Sequence, residues 1–312
     1  MKSFLFAVLV LSPLPAVAAP SAESAAQAAS QALAAAQVLP PVHFAYRTPS
    51  AAPSLGQQSP YPPYPVPGSP LPYCSKPVVW IDRDRAIYKD SQRLGFGAQD
   101  WKASCSGDVA WMDMSRTLYK NDRRLGTSVS NYAIALRTGD VAWMDTSRYL
   151  YKNEDRLGSS VSRFELCDWT GDIAWQDTGG EMYKNADRLG YGASNFQLAR
   201  FTGDVAWRDT GGWMYRNADR LGSGAQSFQV NDYTGAVVWL DTGGTLYKND
   251  QRLGFGVSRY EVARFSGDVV WIDSGREIYK NEQRIGFDAQ AFTLQPDGRG
   301  EWTDSYGQHH ML

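Results

Sequence analysis

The sequence predicts an all-β fold that is assembled from one short repeat, and three recurring residues carry this prediction. A tryptophan recurs every 31 or 32 residues, an aspartate follows it by two positions, and a tyrosine follows seven of the tryptophans by eight positions. A fixed period of this length is the signature of a repeat architecture, in which each unit is one supersecondary element. The tryptophans are Trp80, Trp111, Trp143, Trp175, Trp207, Trp239 and Trp271, with a further Trp302, and the aspartates are Asp82, Asp113, Asp145, Asp177, Asp209, Asp241, Asp273 and Asp304.

The unit around Trp207 shows why each repeat is predicted to contain four strands. Its first segment alternates apolar and polar residues, which is the period of a half-buried strand. Short turns rich in Gly, Asn and Asp separate the segments, and such turns join antiparallel strands. The predicted strands cover residues 196–201, 204–209, 213–216 and 220–222, and together they make one small twisted sheet.

A sheet of 32 residues cannot bury both of its faces alone, so each unit needs a neighbour on either side. Seven units arranged radially satisfy this need, and we therefore predict a seven-bladed β-propeller over residues 74–304. Residues 292–294 are predicted to complete the first blade and close the ring, while the segment of Trp302 and Asp304 has no place in this count. An open β-solenoid is the alternative, but stacking identical charged side chains at strand spacing would be repulsive.

The N-terminal part of the chain precedes the repeats and is predicted to lie outside the fold. Lys2, an apolar run over residues 4–14 and the small residues up to Ala18 predict a secretory signal peptide over residues 1–18, cleaved after Ala18. Residues 19–38 are rich in alanine, which favours a helix, and residues 39–73 form a disordered linker rich in proline. Residues 305–312 are predicted to be a C-terminal tail. The protein is therefore predicted to be secreted or periplasmic.

Composition and charge argue against several classes of function. Thirty-one basic and thirty-three acidic residues give a formal net charge of -2, which argues against nucleic-acid binding. No apolar stretch is long enough to span a bilayer, so membrane insertion is not predicted. Three cysteines and three histidines form no metal-binding motif, and we find no cofactor-binding motif. We therefore predict a monomeric propeller that holds neither metal nor cofactor.

Most of the recurring residues have structural interpretations. Each aspartate opens a turn such as Asp-Thr-Gly-Gly, where its side chain accepts backbone N–H bonds. The alternatives for these aspartates are a ring of calcium ligands or an arginine partner within each blade. The tryptophans and tyrosines are interpreted as packing between blades, because each buries a large area. Cys74 and Cys105 occupy equivalent places in adjacent units, which suggests a disulfide in an exported protein.

The pattern does not predict an enzyme. Catalysis needs one acid, base or nucleophile in a special environment, whereas almost every carboxylate here recurs in every unit. A glycan-processing enzyme is the least favoured alternative. A multivalent carbohydrate-binding protein fits better, because similar blades present similar clefts whose weak affinities combine. The candidate ligand-binding residues are aromatic side chains at two variable positions, six and sixteen residues after the tryptophan, with packing under the loops as their alternative role: Trp213, Tyr149, Tyr191, Phe96, Phe255 and Phe287.

Two motifs resemble those of known propellers. The run Asp-Thr-Gly-Gly-Thr-Leu-Tyr at residues 241–247 resembles the Asp-box turn of sialidase-type propellers, with its aromatic residue one position later. The blade pattern of Trp followed by Leu-Tyr resembles, over residues 74–304 and in architecture, the lectin propellers of the tachylectin and tectonin kind. That resemblance implies carbohydrate binding at several equivalent sites between blades. The alternative partner is an extracellular or periplasmic protein held by a non-catalytic scaffold, which the variation at the two loop positions favours.

Overall fold

The computed structural model describes residues 74–312, all of which belong to one compact unit. The predicted signal peptide, the alanine-rich segment and the proline-rich linker lie outside the described residues. Every regular element between residues 74 and 312 is a β-strand, and no helix in this range is able to cross a membrane. The strands form eight antiparallel sheets, of which six have four strands and the first and last have three.

The strands follow one another in each sheet, so that each sheet is a meander in chain order. Sheet 1 contains β1 (Val79–Ile81), β2 (Ile87–Lys89) and β3 (Gln92–Gly95), and sheet 2 contains β4 (Ala98–Ala103), β5 (Val109–Asp113), β6 (Leu118–Lys120) and β7 (Arg123–Gly126). Sheet 3 contains β8 (Val129–Ile134), β9 (Val141–Asp145), β10 (Leu150–Lys152) and β11 (Asp155–Gly158), and sheet 4 contains β12 (Val161–Leu166), β13 (Ile173–Asp177), β14 (Met182–Lys184) and β15 (Asp187–Gly190). Sheet 5 contains β16 (Ala193–Leu198), β17 (Val205–Asp209), β18 (Met214–Arg216) and β19 (Asp219–Gly222), and sheet 6 contains β20 (Ala225–Val230), β21 (Val237–Asp241), β22 (Leu246–Lys248) and β23 (Gln251–Gly254). Sheet 7 contains β24 (Val257–Val262), β25 (Val269–Asp273), β26 (Ile278–Lys280) and β27 (Gln283–Gly286), and sheet 8 contains β28 (Ala289–Leu294), β29 (Gly300–Asp304) and β30 (His309–Met311).

The predicted fold class is confirmed, because the described chain is all-β and its repeats are four-stranded, blade-like sheets. The first strand of the Trp207 unit begins three residues earlier than predicted, at Ala193, and ends at Leu198. Residues 199–201 lie instead in a turn that contacts the next repeat, where the N–H of Phe201 donates to the carbonyl of Asp232 at 3.0 Å. The backbone of these residues therefore bonds to the next repeat, and the strand ends at Leu198.

The C-terminal segment corrects two of the sequence predictions. Residues 292–294 do not complete the first sheet, because they belong to β28, which pairs with β29 so that Phe292 lies opposite Trp302. Residues 305–312 are not a tail, because they contain a turn and β30, whose His310 lies opposite Trp302. The Trp302 segment therefore forms an eighth sheet, with His310 at the place that tyrosine occupies in the other repeats.

The core is divided into clusters that lie between consecutive sheets. Residues 74–312 contain seven such clusters, one for each pair of sheets that are neighbours in the chain. In one of them Met182 of sheet 4 packs with Phe196 and Trp207 of sheet 5. Seven of the recurring tryptophans are between 1% and 6% exposed, whereas Trp80 of sheet 1 is 45% exposed. The first sheet therefore has an uncovered face in the described part of the chain.

The glycine of the recurring Arg-Leu-Gly segment allows the sheets to approach each other. A Cβ added at Gly190 in sheet 4 would lie 2.5 Å from the ring of Trp207 in sheet 5. Real Cβ atoms do not approach so closely, so only glycine permits the indole to lie flat against the preceding sheet. The equivalent glycines of the other sheets meet the following tryptophan in the same way, as with Gly126 and Trp143.

Candidate functional site

The aspartate of each Trp-x-Asp segment lies at the turn between the second and third strands. Asp209 accepts the N–H of Trp213 at 2.8 Å through Oδ1, and its Oδ2 accepts the hydroxyl of Tyr215 at 3.3 Å. The same bond to the N–H four residues later is made by Asp113, Asp145, Asp177, Asp209, Asp241 and Asp273. The side chain is thereby used within its own turn, and none of the described ion pairs joins it to the recurring arginine. The described residues hold no group of three or more side chains placed to bind a metal ion.

The recurring tryptophan and tyrosine form a stacked pair inside each sheet. The rings of Trp207 and Tyr215 lie 4.1 Å apart at an angle of 8°, and the indole N–H of Trp207 donates to the carbonyl of Asn217 at 2.8 Å. The other tryptophans stack in the same way on the following aromatic ring, and Trp80 stacks on Tyr88 at 4.1 Å. Trp80 thus keeps its stacking partner within the sheet, while no preceding sheet covers it within residues 74–312.

An asparagine that the sequence pattern indicates only as a turn residue connects three parts of the repeat in sheets 2 to 5 and 7. Asn217 has a φ of 51°, in the left-handed region that asparagine tolerates better than most residues. Its Oδ1 accepts the N–H of Val205 at 3.0 Å, and its Nδ2 donates to Asp204 at 2.7 Å. Asp204 also pairs with Arg216 at 2.8 Å. In the sequence, the recurrence of the Gly-Asp and Lys-Asn segments is the pattern that indicates this network.

In sheets 3, 4, 5 and 7 the variable residue six positions after the tryptophan contacts the recurring arginine of the same sheet. The guanidinium of Arg220 lies 3.1 Å from the ring centroid of Trp213, and that of Arg156 lies 3.9 Å from the ring of Tyr149. Both aromatic residues are half-buried by this contact. Where glutamate occupies the position, it forms an ion pair with the arginine instead, at 3.4 Å in sheet 4 and 2.8 Å in sheet 7. The arginine is therefore the partner of the variable residue.

The two glutamates at this position also alter the tyrosine beside them. The hydroxyl of Tyr183 donates to Glu181, and this hydrogen bond, followed by burial, raises the pKa of Tyr183 to about 12. The bond from Tyr279 to Glu277 has the same effect and raises the pKa of Tyr279 to about 12. These tyrosines stay protonated at neutral pH and act as hydrogen-bond donors.

The variable position sixteen residues after the tryptophan lies in the turn that leads from one sheet to the next. Four sheets carry a large aromatic residue there, and all four side chains point into solvent: Phe96 is 58% exposed, Tyr191 73%, Phe255 73% and Phe287 70%. We call these four residues the aromatic row. Sheets 2, 3 and 5 carry Thr127, Ser159 and Ser223 at the same place. Such exposure is inconsistent with packing under the loops.

The structure does not gather the six candidate ligand-binding residues into one cavity. A shallow cavity beside Lys248 and Lys280 is lined by none of them, and neither is a second cavity between the first strands of sheets 3 and 4. The candidates divide instead into the exposed aromatic row and the two residues that cover an arginine. Within this second group, Trp213 and Tyr149 belong to different sheets, 5 and 3.

A disulfide joins Cys74 to Cys105, with their Cα atoms 5.0 Å apart. Cys167 is free and buried. The short distance follows from the close stacking of equivalent turns in successive repeats, since the N–H of Cys105 donates to the carbonyl of Leu136 at 2.6 Å. Aromatic side chains at the cysteine position in later repeats contact one another at tilted angles, as with Phe201 and Tyr233, whose ring centroids are 4.0 Å apart. The sequence shows aromatic residues at this position, but not that they contact each other between repeats.

Comparison with known proteins yields structural matches alone. No family model matches the chain, and no curated protein matches it. Solved structures that resemble it include a eukaryotic initiation factor (10% identity, 75% of this chain and 84% of that chain covered, TM-score 0.37) and the WD40 β-propeller domain of Doa1 (11%, 65% and 88%, TM-score 0.24). A third is Hsv2 of Kluyveromyces lactis (8%, 67% and 92%, TM-score 0.32). The solved structures to which this chain is similar therefore include β-propellers of the WD40 kind.

Proposed function

We propose that the protein is a non-catalytic scaffold that binds another protein through the aromatic row. The observation that carries this proposal is the uneven distribution of exposed aromatic side chains over equivalent positions. Sheets 1, 4, 6 and 7 contribute Phe96, Tyr191, Phe255 and Phe287, whereas the intervening sheets contribute serine or threonine. A set of equal ligand sites needs the same residue in each repeat, while a single large partner meets each repeat differently.

Interface energetics support a protein partner. Large aromatic side chains are enriched in protein interfaces, where a few of them supply most of the binding free energy. Exposed apolar side chains that recur along one row of turns differ from the single exposed residues found on any soluble protein. In sheet 1 the guanidinium of Arg93 lies 4.4 Å from the ring of Phe96, which adds a second residue type common in such interfaces.

The proposal places this scaffold outside the cytoplasm. The disulfide between Cys74 and Cys105 supports this part of the proposal, because disulfides persist mainly in oxidising compartments. The secretory signal peptide predicted over residues 1–18 agrees with it. Carbohydrate binding stays a prediction, which the experiment below distinguishes from protein binding.

The test compares the natural protein with a variant in which the four members of the aromatic row are replaced by serine, the residue that Ser159 and Ser223 supply at the same place. Met311→Ser is the matched control, because Met311 is also 80% exposed but lies outside the row. Each protein is immobilised and incubated with an extract of the cell envelope, and a glycan array is probed in parallel.

We expect the natural chain and Met311→Ser to retain one protein of the envelope extract. The variant with four serines should retain at least tenfold less of that protein, because losing a hot-spot residue costs about 2 kcal/mol or more of binding free energy. Equal retention by all three proteins contradicts the proposal. Binding to polysaccharide that depends on the aromatic row, with no retained protein, would replace it with the carbohydrate-binding prediction.

A further inference from the structure

The first strand of every complete sheet is an edge strand, because the sheets run in the order first, second, third, fourth. An edge strand exposes N–H and C=O groups that need partners. Here the preceding sheet supplies them from a side chain. Gln197 of sheet 5 shows the arrangement: its Nε2 donates to the carbonyl of Phe228 at 3.3 Å, and its Oε1 accepts the N–H of Val230 at 3.0 Å. One carboxamide thus satisfies two backbone groups of the next sheet.

The same position makes related contacts between other pairs of sheets. Glu165 of sheet 4 accepts the N–H of Leu198 at 2.9 Å, and Lys102 of sheet 2 donates to the carbonyl of Tyr132 at 2.6 Å. Sheets 6 and 7 carry Gln229 and Glu261 at this place. Sheets 2 and 4 to 7 therefore all carry a long polar side chain at this place, and in sheets 2, 4 and 5 it bonds to the next first strand.

Sheet 3 is the exception, because it carries Ala133. A methyl group has no polar atom and cannot reach across to the next first strand. The backbone groups of sheet 4 that correspond to those bound by Gln197 are the carbonyl of Phe164 and the N–H of Leu166, since Phe164 pairs with Trp175 as Phe228 pairs with Trp239. A cavity of about 370 Å³ opens here, and its lining includes Ala133, Phe164 and Leu166.

We infer that this cavity binds the carboxamide side chain of a glutamine or asparagine of the partner protein, which takes the place that Gln197 occupies two sheets further along. The carboxamide would accept the N–H of Leu166 and donate to the carbonyl of Phe164. This inference rests on the proposed protein partner, but it concerns different residues from the aromatic row. We call the residues Ala133, Phe164 and Leu166 the amide notch.

The burial of the groups around the amide notch favours a neutral ligand over a carboxylate. Two carboxyl groups, of Glu165 and Asp168, line the cavity together with two cations, Lys102 and Arg200. Burial raises the pKa of Glu165 above its ordinary value despite the hydrogen bond from Leu198, and burial also raises the pKa of Asp168 despite the nearby Arg200. The same burial would destabilise the charged form of a carboxyl group that a ligand brought into the cavity. A carboxamide has the same shape as a carboxylate and avoids that cost.

The first test titrates the purified, ¹⁵N-labelled protein with the blocked tripeptide Gly-Gln-Gly and records amide chemical shifts. The blocked tripeptides Gly-Glu-Gly and Gly-Met-Gly are the controls for charge and for shape. We expect a saturable shift of the Leu166 amide, with a dissociation constant about tenfold lower for the glutamine peptide than for either control, as two added hydrogen bonds would give. Equal shifts with the methionine peptide, or no shift of the Leu166 amide with any peptide, would overturn the inference.

The second test fills the notch from within the chain. Ala133→Gln introduces the residue that sheet 5 already carries at position 197, so the fold tolerates its shape. We expect Ala133→Gln to abolish the response to the glutamine peptide and to slow hydrogen exchange at Leu166 to the level of Val230. Ala133→Ser is the matched control, since its side chain is too short to reach, and it should keep the response. Peptide binding by Ala133→Gln at natural strength would contradict the inference.

These tests use peptides and do not depend on the aromatic row. If the envelope capture fails while the amide notch still selects glutamine, the proposed protein partner is wrong in its use of the row and the notch stands. If capture succeeds while the notch shows no selectivity for glutamine, the inference is wrong and the proposed function stands.

Discussion

Sheets 1 and 5 contain the same Trp-x-Asp and Tyr motif, yet they differ in how well they are buried. Trp207 of sheet 5 is 1% exposed because sheet 4 covers it, while Trp80 of sheet 1 is 45% exposed. Both tryptophans stack on the tyrosine of their own sheet at 4.1 Å. The stacked pair is therefore a property of the repeat, whereas burial is a property of the neighbour. In such an array, stability arises largely at the boundaries between units.

Replacing the buried and the exposed tryptophan gives the largest predicted difference. Trp207→Ala should lower the free energy of unfolding by about 3–5 kcal/mol, because it removes a large buried side chain and leaves a cavity. Trp80→Ala should cost about 1–2 kcal/mol, since part of the ring is already in water and the lost area is smaller. Urea denaturation of both variants measures the difference. Equal losses would show that the boundary between sheets is not what the tryptophan stabilises.

The disulfide is predicted to stabilise sheet 1, which has no preceding sheet in the part of the chain that the structure describes. Cys74 and Cys105 are 31 residues apart in the chain, and closing a loop of that length stabilises the folded state by about 4 kcal/mol in the chain-entropy model. We expect the double change to serine to accelerate hydrogen exchange in sheet 1 and to leave sheet 5 unchanged. Cys167→Ser provides the control for losing a cysteine. Uniform acceleration over all sheets would contradict this local role.

The close approach of neighbouring sheets can be tested at the glycine beneath the indole. Gly190→Ala should cost about 1–3 kcal/mol, because its Cβ would lie 2.5 Å from the ring of Trp207 and would force the sheets apart. Gly179→Ala is the matched control, since the nearest atom to its Cβ is 3.3 Å away and sheets 2 and 3 carry serine at that place. Thermal unfolding should separate the two variants. A neutral Gly190→Ala would show that the boundary is loosely packed.

The last sheet offers the smallest predicted effect, and it depends on pH. The hydrogen bond between His310 and Asp304, at 3.1 Å, lowers the pKa of Asp304 below its ordinary value. A depressed pKa means that the charged carboxylate is favoured in the folded state, so its stabilisation is present above the ordinary pKa of aspartate, about 3.9, and is lost as the pH falls through the lower folded value.

Hydrogen exchange in β29 and β30 should therefore accelerate below about pH 4 more than exchange in sheet 5 does. His310→Tyr, which restores the residue of the other repeats, should reduce this difference. If the acid response of sheet 8 does not change in His310→Tyr, the bond between His310 and Asp304 is not its cause.

The fold was largely predictable because each strand pattern recurs seven or eight times in slightly different residues. The eighth sheet escaped assignment because His310 replaces its tyrosine and no Arg-Leu-Gly segment follows Trp302. The contact between Phe201 and Tyr233 was not predictable either. Two residues that are 32 positions apart show no sign in the sequence of whether they touch, since that depends on the angle between neighbouring sheets.

The candidate site was predictable in its residues more than in its geometry. Variation at two positions singled out Tyr191 and Trp213, but only the structure shows that Tyr191 is 73% exposed while Trp213 lies over Arg220. The sequence alone does not single out Ala133, because its methyl group has no polar atom that would indicate a binding site. Its meaning comes from Gln197 and Glu165, which show what the other sheets place there.

The most direct test of the scaffold proposal is photo-crosslinking in cells that produce the protein. A benzoylphenylalanine residue replaces Tyr191 in one variant and Phe255 in a second, and Met311 carries it in the control. The account predicts that positions 191 and 255, which belong to sheets 4 and 6, capture the same protein, and that position 311 does not. No captured protein at either position, or the same capture at position 311, would contradict the claim that the aromatic row binds one partner.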